Sequence, residues 1–136
     1  MPKIVIDDID LSLFPLVGEF GITIEEISKG TAILRLPIRK HTLRPGGTIS
    51  GPAMMSVADF SIFIAIQSLT GKKIDLVTTN LNCNFLRKPK AVDILAHAEI
   101  MKVGSRLAYG TVSLYSEGDT EPVAHVTCTF SIPPSK

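Results

Sequence analysis

The chain has 136 residues, a length that suits one domain over residues 1–136 with a real hydrophobic core. Its 14 lysines and arginines nearly balance 13 aspartates and glutamates, so the net charge of +1 excludes a polybasic nucleic-acid binder and an acidic tail protein alike. Apolar residues reach 45% against 20% charged, too apolar for disorder and richer than a monomer needs, which points to a buried subunit interface.

The N-terminus turns acidic at Asp7 and Asp8 before any apolar run can serve as a signal-peptide core, so a cytoplasmic protein is expected. A short helical or turn segment is expected around Asp8 to Leu13, ended by Pro15. Phe20 to Ile27 and Thr31 to Ile38 then read as two strands joined at Lys29-Gly30. In the second, Ala32, Leu34, Leu36 and Ile38 oppose Thr31, Ile33 and Arg35. Arg39 to Thr48 holds Pro45, Gly46 and Gly47, which makes it a loop.

A helix follows. Ser50 is its candidate N-cap, Pro52 stands near its first position, and Gly71 marks its stop after about Leu69. From Pro52 to Leu69 it spans about 27 Å. Gly51 to Leu69 is the one stretch apolar enough to suggest a membrane, but Asp59 at its middle costs roughly 3 kcal/mol on insertion scales. The segment therefore reads as a soluble helix covered on nearly all its faces, and no membrane partner is expected.

Four strand-like stretches come next: Val77 to Leu86, Asp93 to Val103, Arg106 to Tyr115 and Pro122 to Ile132. The last three are separated by Gly104-Ser105 and Glu117-Gly118-Asp119. Short turns between them imply an antiparallel sheet. One long apolar helix with one sheet available requires that the sheet curl around it. The expected class is α+β, with five or six strands wrapped around the helix. Strict alternation in Val77 to Leu86 puts Val77, Thr79, Leu81, Cys83 and Phe85 on one face and Thr78, Asn80, Asn82 and Asn84 on the other. Three alternating asparagines are poor strand formers, and they suit either a solvated face or a seam between subunits.

Asp59 breaks the rule of its surroundings. A carboxylate in so apolar a stretch must be paired, protonated or set in a cleft. It is either a structural cap or a general base or nucleophile, and Ser56 is a candidate local hydrogen-bond partner. The helix start adds a second ingredient: free amides at Gly51 and Ala53, carrying partial positive charge, suit a developing oxyanion. Gly51 and Asp59 stand about 12 Å apart along the axis, too far to act on one carbonyl. If they cooperate, two helices must lie antiparallel and the active unit is a dimer.

These residues resemble the hotdog-fold acyl-CoA thioesterases, in particular the phenylacetate-pathway (PaaI-like) branch, from about Phe20 to Ile132. The helix-start motif of that family appears as Gly47-Thr48-Ile49-Ser50-Gly51-Pro52, with Val57-Ala58-Asp59 ending nine positions after Ser50. Thr78 to Pro89 resembles its central strand and closing turn, and Lys102 to Arg106 its next turn. The resemblance implies a hotdog fold, Asp59 as catalytic carboxylate, the Gly51 amide as the group polarising the thioester, and Thr78 as a hydroxyl that holds the water. Two positions depart. Ser50 replaces the motif histidine, and Arg44 stands where some relatives carry asparagine, so both are assigned to substrate binding; an arginine there would either lower the Asp59 carboxyl or bind a carboxylated acyl tail. Pro52 also replaces the second glycine of the motif.

The remaining candidates are weaker. Arg87-Lys88-Pro89-Lys90 is a solvated turn or a coenzyme A phosphate site, with Arg106 assisting from an adjoining turn. Met54 and Met55 pack the helix or line an acyl pocket. His41, His97 and His125, like Cys83 and Cys128, lack metal-ligand spacing, so no metal is expected and the cysteines read as core residues. There is no Walker loop or serine-hydrolase elbow. The expected activity is hydrolysis of an acyl or aryl-acyl thioester to free acid and coenzyme A. Coenzyme A is then part of the substrate, no separate cofactor is needed, and the protein is a homodimer or a pair of dimers without nucleic acid. The alternatives are a non-catalytic acyl-CoA-binding dimer on the same fold and, third, a hotdog dehydratase or hydratase, for which Ser50 occupies the slot a histidine would need.

Overall fold

The computed structural model describes residues 1–73 and 75–134. Two 3-10 turns, Ile6–Asp8 and Leu11–Leu13, precede a short helix α1 (Pro15–Phe20) and strands β1 (Thr23–Ser28) and β2 (Thr31–Leu36). The long helix α2 (Gly51–Thr70) follows, then β3 (Val77–Phe85), β4 (Ile94–Val103), β5 (Leu107–Ser116) and β6 (Ala124–Ser131). Every pairing is antiparallel, and the six strands form one sheet in the order β1-β2-β4-β5-β6-β3. The third strand thus crosses to the far edge beside β6.

Helix α2 packs against all six strands, and every residue from Phe60 to Ser68 is buried. It has the length and apolarity of a membrane span, yet here the sheet covers it. The caps are those the sequence suggests. Ser50 Oγ accepts from Ala53 N at 3.3 Å, Pro52 lies in the first turn, and the Gly71 N–H donates to Gln67 O at 2.9 Å. Alternation supplies the other half of the core: Ala32, Leu34 and Leu36 from β2, Ile94, Ala96 and Ala98 from β4, Val126, Cys128 and Phe130 from β6 are all buried. Cys83 is half-buried on β3, and both thiols are free.

Two close approaches hold the sheet against the helix. Gly110 on β5 has no side chain because a Cβ there would sit 2.7 Å from Glu99 O and 2.9 Å from Ile62 Cδ1. The turn between β1 and β2 is tied down by Ser68, whose hydroxyl accepts from Gly30 N at 2.8 Å and donates to Ala65 O at 2.6 Å.

The structure corrects two readings of the sequence. The 3-10 turns stop at Leu13, just before Pro15, but Pro15 also opens α1, where its missing N–H costs nothing. Phe20 accordingly closes that helix, and β1 begins only at Thr23. The second correction concerns β3. Its register against β6 shifts between Thr78 and Asn80, so Thr79 is an extra residue in a β-bulge. Thr78 pairs with the buried Phe130, Leu81 with Cys128 and Cys83 with Val126, whereas Val77 pairs with Ser131 and Asn80 with Thr129. Thr78 therefore faces the helix and Val77 faces away, the reverse of strict alternation. The asparagines stay outside.

Candidate active site

The start of α2 is fixed by the loop before it. Leu43 and Ile49 form an isolated bridge, Arg44 N donates to Thr48 O at 2.9 Å, and Ser50 N donates to Thr42 O at 2.8 Å. Gly46 and Gly47, at φ of 108° and 87°, turn the tip of this hairpin in a region other residues avoid. Among the described residues the Gly51 N–H donates to nothing, while the Ala53 amide is used by the Ser50 cap. Gly51 faces the Phe85 ring, whose Cζ would lie 3.2 Å from an added Cβ.

A cleft of about 550 Å³ opens at this point, lined by Arg44, Thr48, Gly51, Met54, Phe85, Arg87 and Lys88 among others. Five residues named from the sequence thus meet around one opening with a free amide at its floor. Arg87 is steadied by Glu121 at 3.2 Å and by donation from Nε to Pro122 O at 3.0 Å, and Lys90 is drawn aside to Asp119 at 2.6 Å. Ser50 does not line this cleft; its hydroxyl caps the helix.

Asp59 opens elsewhere. It lines a second cleft, of about 310 Å³, with Ser56, Phe60 and the residues of α1 and its approach, including Leu13, Phe14 and Val17. Thr78 Oγ1 donates to Asp59 Oδ1 at 2.6 Å, and Cys128 Sγ lies 4.0 Å from the same oxygen. Oδ2 has no partner among the described residues. Burial pushes the Asp59 carboxyl above the ordinary carboxylate range, and the Thr78 hydrogen bond pulls it partly back. The neighbouring Cys128 thiol is pushed up to about 12, first by burial and then by the Asp59 charge, so it stays protonated.

Three expectations about neighbours fail. Ser56 does not bond Asp59; its hydroxyl donates to Pro52 O at 3.0 Å. Arg44 lines the other cleft and does not depress the Asp59 carboxyl within the chain. Arg106 and the Arg87 turn are not adjoining. Arg106 bonds Ile132 beside the start of β5, whereas Arg87 bonds Val123, which in turn bonds Leu114. Seven residues of strand separate these ends by roughly 24 Å. The sequence reading missed Phe85, Cys128 and the α1 wall of the Asp59 cleft. The apolar spacing of Phe14 and Val17 behind Pro15 was the signal for that wall. Among the described residues no three His, Cys, Asp or Glu side chains converge as a metal site.

Comparison with known proteins agrees with the architecture. A family model described as the thioesterase superfamily matches residues 46–123, more than half of the chain. The crystal structure of a candidate thioesterase from Silicibacter sp. is 40% identical and superposes with a TM-score of 0.83 over 91% of this chain and 86% of that one. A variant of the phenylacetic acid degradation protein PaaI from Thermus thermophilus shares the fold, with 23% identity and a TM-score of 0.76 over 88% of this chain and 99% of that one. A candidate esterase of Halobacterium salinarum is 27% identical over 110 residues, 77% of this chain and 72% of its own length.

Proposed function

The chain belongs to the thioesterase superfamily, with its hotdog architecture, and we propose that it hydrolyses acyl-CoA thioesters at sites shared between two antiparallel subunits. The observation that carries this reading is the division of labour along α2. Its start offers an unpaired amide in a cationic cleft, and its middle offers a perturbed carboxylate in an apolar one. The two positions open in different clefts of the same chain. Neither cleft alone holds both an oxyanion donor and a base.

A two-fold dimer joins them. Among the described residues β3 pairs only with β6, which leaves its outer edge open over nine residues. Antiparallel pairing of two such edges about Leu81 brings the Thr78 end of one chain beside the Phe85 end of the other. Asp59 of one subunit then meets Gly51 of the other, and the distant Arg106 returns to the side of the second chain's Arg87 turn. Further pairing of dimers into tetramers is compatible with this arrangement.

In the reaction, a water held by the Thr78 hydroxyl and Asp59 attacks the thioester carbonyl carbon, and Asp59 Oδ2 takes its proton. The second chain's Gly51 amide bonds the oxygen as it gains charge. The tetrahedral centre collapses with cleavage of the carbon–sulfur bond, and the thiolate of coenzyme A leaves and takes up a proton. Thr78 donates to Oδ1 and keeps a lone pair to accept from the water, so it fixes the base and the nucleophile together. Arg44, Arg87 and Lys88 suit the phosphates of coenzyme A at the other cleft. A thiol-release assay over short, long and aromatic acyl-CoAs tests the reading. Release from a subset of esters is expected, and no release from any of them would leave only the binding protein.

A further inference from the structure

Gln67 is a polar residue of α2 to which this reaction gives no task. Its side chain is buried, with 1% of its surface exposed, and neither amide atom has a hydrogen-bond partner among the described residues. Buried polar groups are nearly always paired, because an orphaned one carries its whole desolvation cost. The other buried hydroxyls of the helix obey this rule: Ser61 donates to Ala58 O and Ser68 to Ala65 O. Gln67 instead lines a cavity of about 10 Å³ with Phe14, Phe63, Asp8, Asp10 and Lys72. That is space for about one water-sized group.

The place of this cavity gives it meaning. Leu13 and Phe14 line both it and the Asp59 cleft, so one layer of side chains divides the two. Gln67 lies about 12 Å beyond Asp59 along the helix and stands almost directly over Phe60, two turns on. The dividing layer is aromatic, with Phe14 5.0 Å from Phe60 and 5.3 Å from Phe63 between ring centres. Phe14 is only partly buried, sits between the second 3-10 turn and α1, and follows an exposed Leu13. An acyl chain passing this layer would have to displace the Phe14 ring, which belongs to no strand.

We propose that the acyl group runs from Asp59 past Phe14 to Gln67, and that Gln67 selects medium-length acyl chains ending in a hydroxyl or keto oxygen. This rests on the thioesterase reading above. The aromatic walls take the methylenes, and the amide, with both donor and acceptor, bonds a terminal hydroxyl in either sense. Asp8 and Asp10 at the cavity, only one of them offset by Lys72, disfavour an ionised tail and admit a neutral one. Their carboxylates are already held, Asp8 by the Val5 N–H and Asp10 by Ser12, and do not compete for the ligand.

Purified wild type and Gln67→Met are compared by thiol release from a medium-chain acyl-CoA and its ω-hydroxy counterpart of equal length. Methionine keeps the length of glutamine and loses its hydrogen bonds. The wild type is expected to prefer the ω-hydroxy ester. In Gln67→Met, kcat/KM for that ester falls by about tenfold or more while the unsubstituted ester is unaffected or improved. The ratio does not depend on how much enzyme is folded, so a glutamine that merely held a structural water leaves it unchanged. An unchanged ratio in an active enzyme overturns this proposal alone. No thiol release from any ester by the wild type overturns it together with the thioesterase reading.

Discussion

Thr78 Oγ1 donates to Asp59 Oδ1 at 2.6 Å, a bond between the outermost strand and the buried helix. It is the point at which sheet geometry and acid–base chemistry meet, because the same bond orients the carboxylate and lowers its proton affinity.

Thr78→Val removes the donor while keeping the shape. The Asp59 carboxyl then rises further, since burial is no longer opposed. The acid limb of the kcat/KM profile moves to higher pH, and activity falls more below that limb than above it. A pH series on the purified variant checks this. A profile identical to wild type would detach Thr78 from the base.

Asp59→Asn is expected to lower turnover by about 100-fold or more, the range of a general base. Its effect on stability has a definite sign. A carboxyl raised on folding binds more protons folded than unfolded, so its contribution is full below the ordinary carboxylate range and is lost as pH rises through the raised value. The variant should therefore melt above wild type at neutral pH, and the gap should close in acid. A variant that melts lower at neutral pH yet keeps its turnover would make Asp59 a structural cap.

The proposed seam on β3 is tested by Asn80→Asp with Asn82→Asp. Two antiparallel copies bring these like charges together, so the protein should dissociate in light scattering at low salt and lose activity on dilution. Wild type that scatters as a monomer at working concentration would remove the shared site.

Arg87→Gln with Lys88→Gln should raise KM for coenzyme A esters, by about two- to fivefold for each exposed contact, with kcat nearly unchanged. Arg106→Gln combined with them separates the two geometries. Its effect is non-additive only if Arg106 and the Arg87 turn of different chains meet one substrate.

Gly110→Ala probes the wrapping itself. The new methyl meets the Glu99 carbonyl and Ile62, and overpacking of this kind costs about 1–3 kcal/mol, visible in a thermal melt.

Much of this architecture was legible in the sequence because it rests on periodicity and caps. The uniformly apolar run closed by Ser50 and Gly71 could only be a covered helix, and Ala32, Leu34 and Leu36 alternate as a half-buried strand must. The Asp59 anomaly and the Gly51 amide were legible for the same reason, since each breaks a local rule. What escaped depends on tertiary choice. Pro15 both starts and stops helices, and only the burial of Val17 and the packing of Phe14 on α2 decide which. The separation of Arg106 from Arg87 follows from the crossing of β3 to the far edge, and turn spacing does not encode that.

The extra residue at Thr79 acts as a parity bit. A strand has two sides, so a bulge exchanges inside and outside for everything upstream of it, relative to an unbroken ladder over the same residues, and leaves everything downstream untouched. If the same residues paired in an unbroken ladder, with Thr79 opposite Phe130, the Thr78 hydroxyl would turn out to solvent and the Val77 side chain in toward Asp59. Irregularity in the sheet is thus what delivers the hydroxyl: with Thr79 in place, only the bulge keeps Thr78 on the side of Asp59.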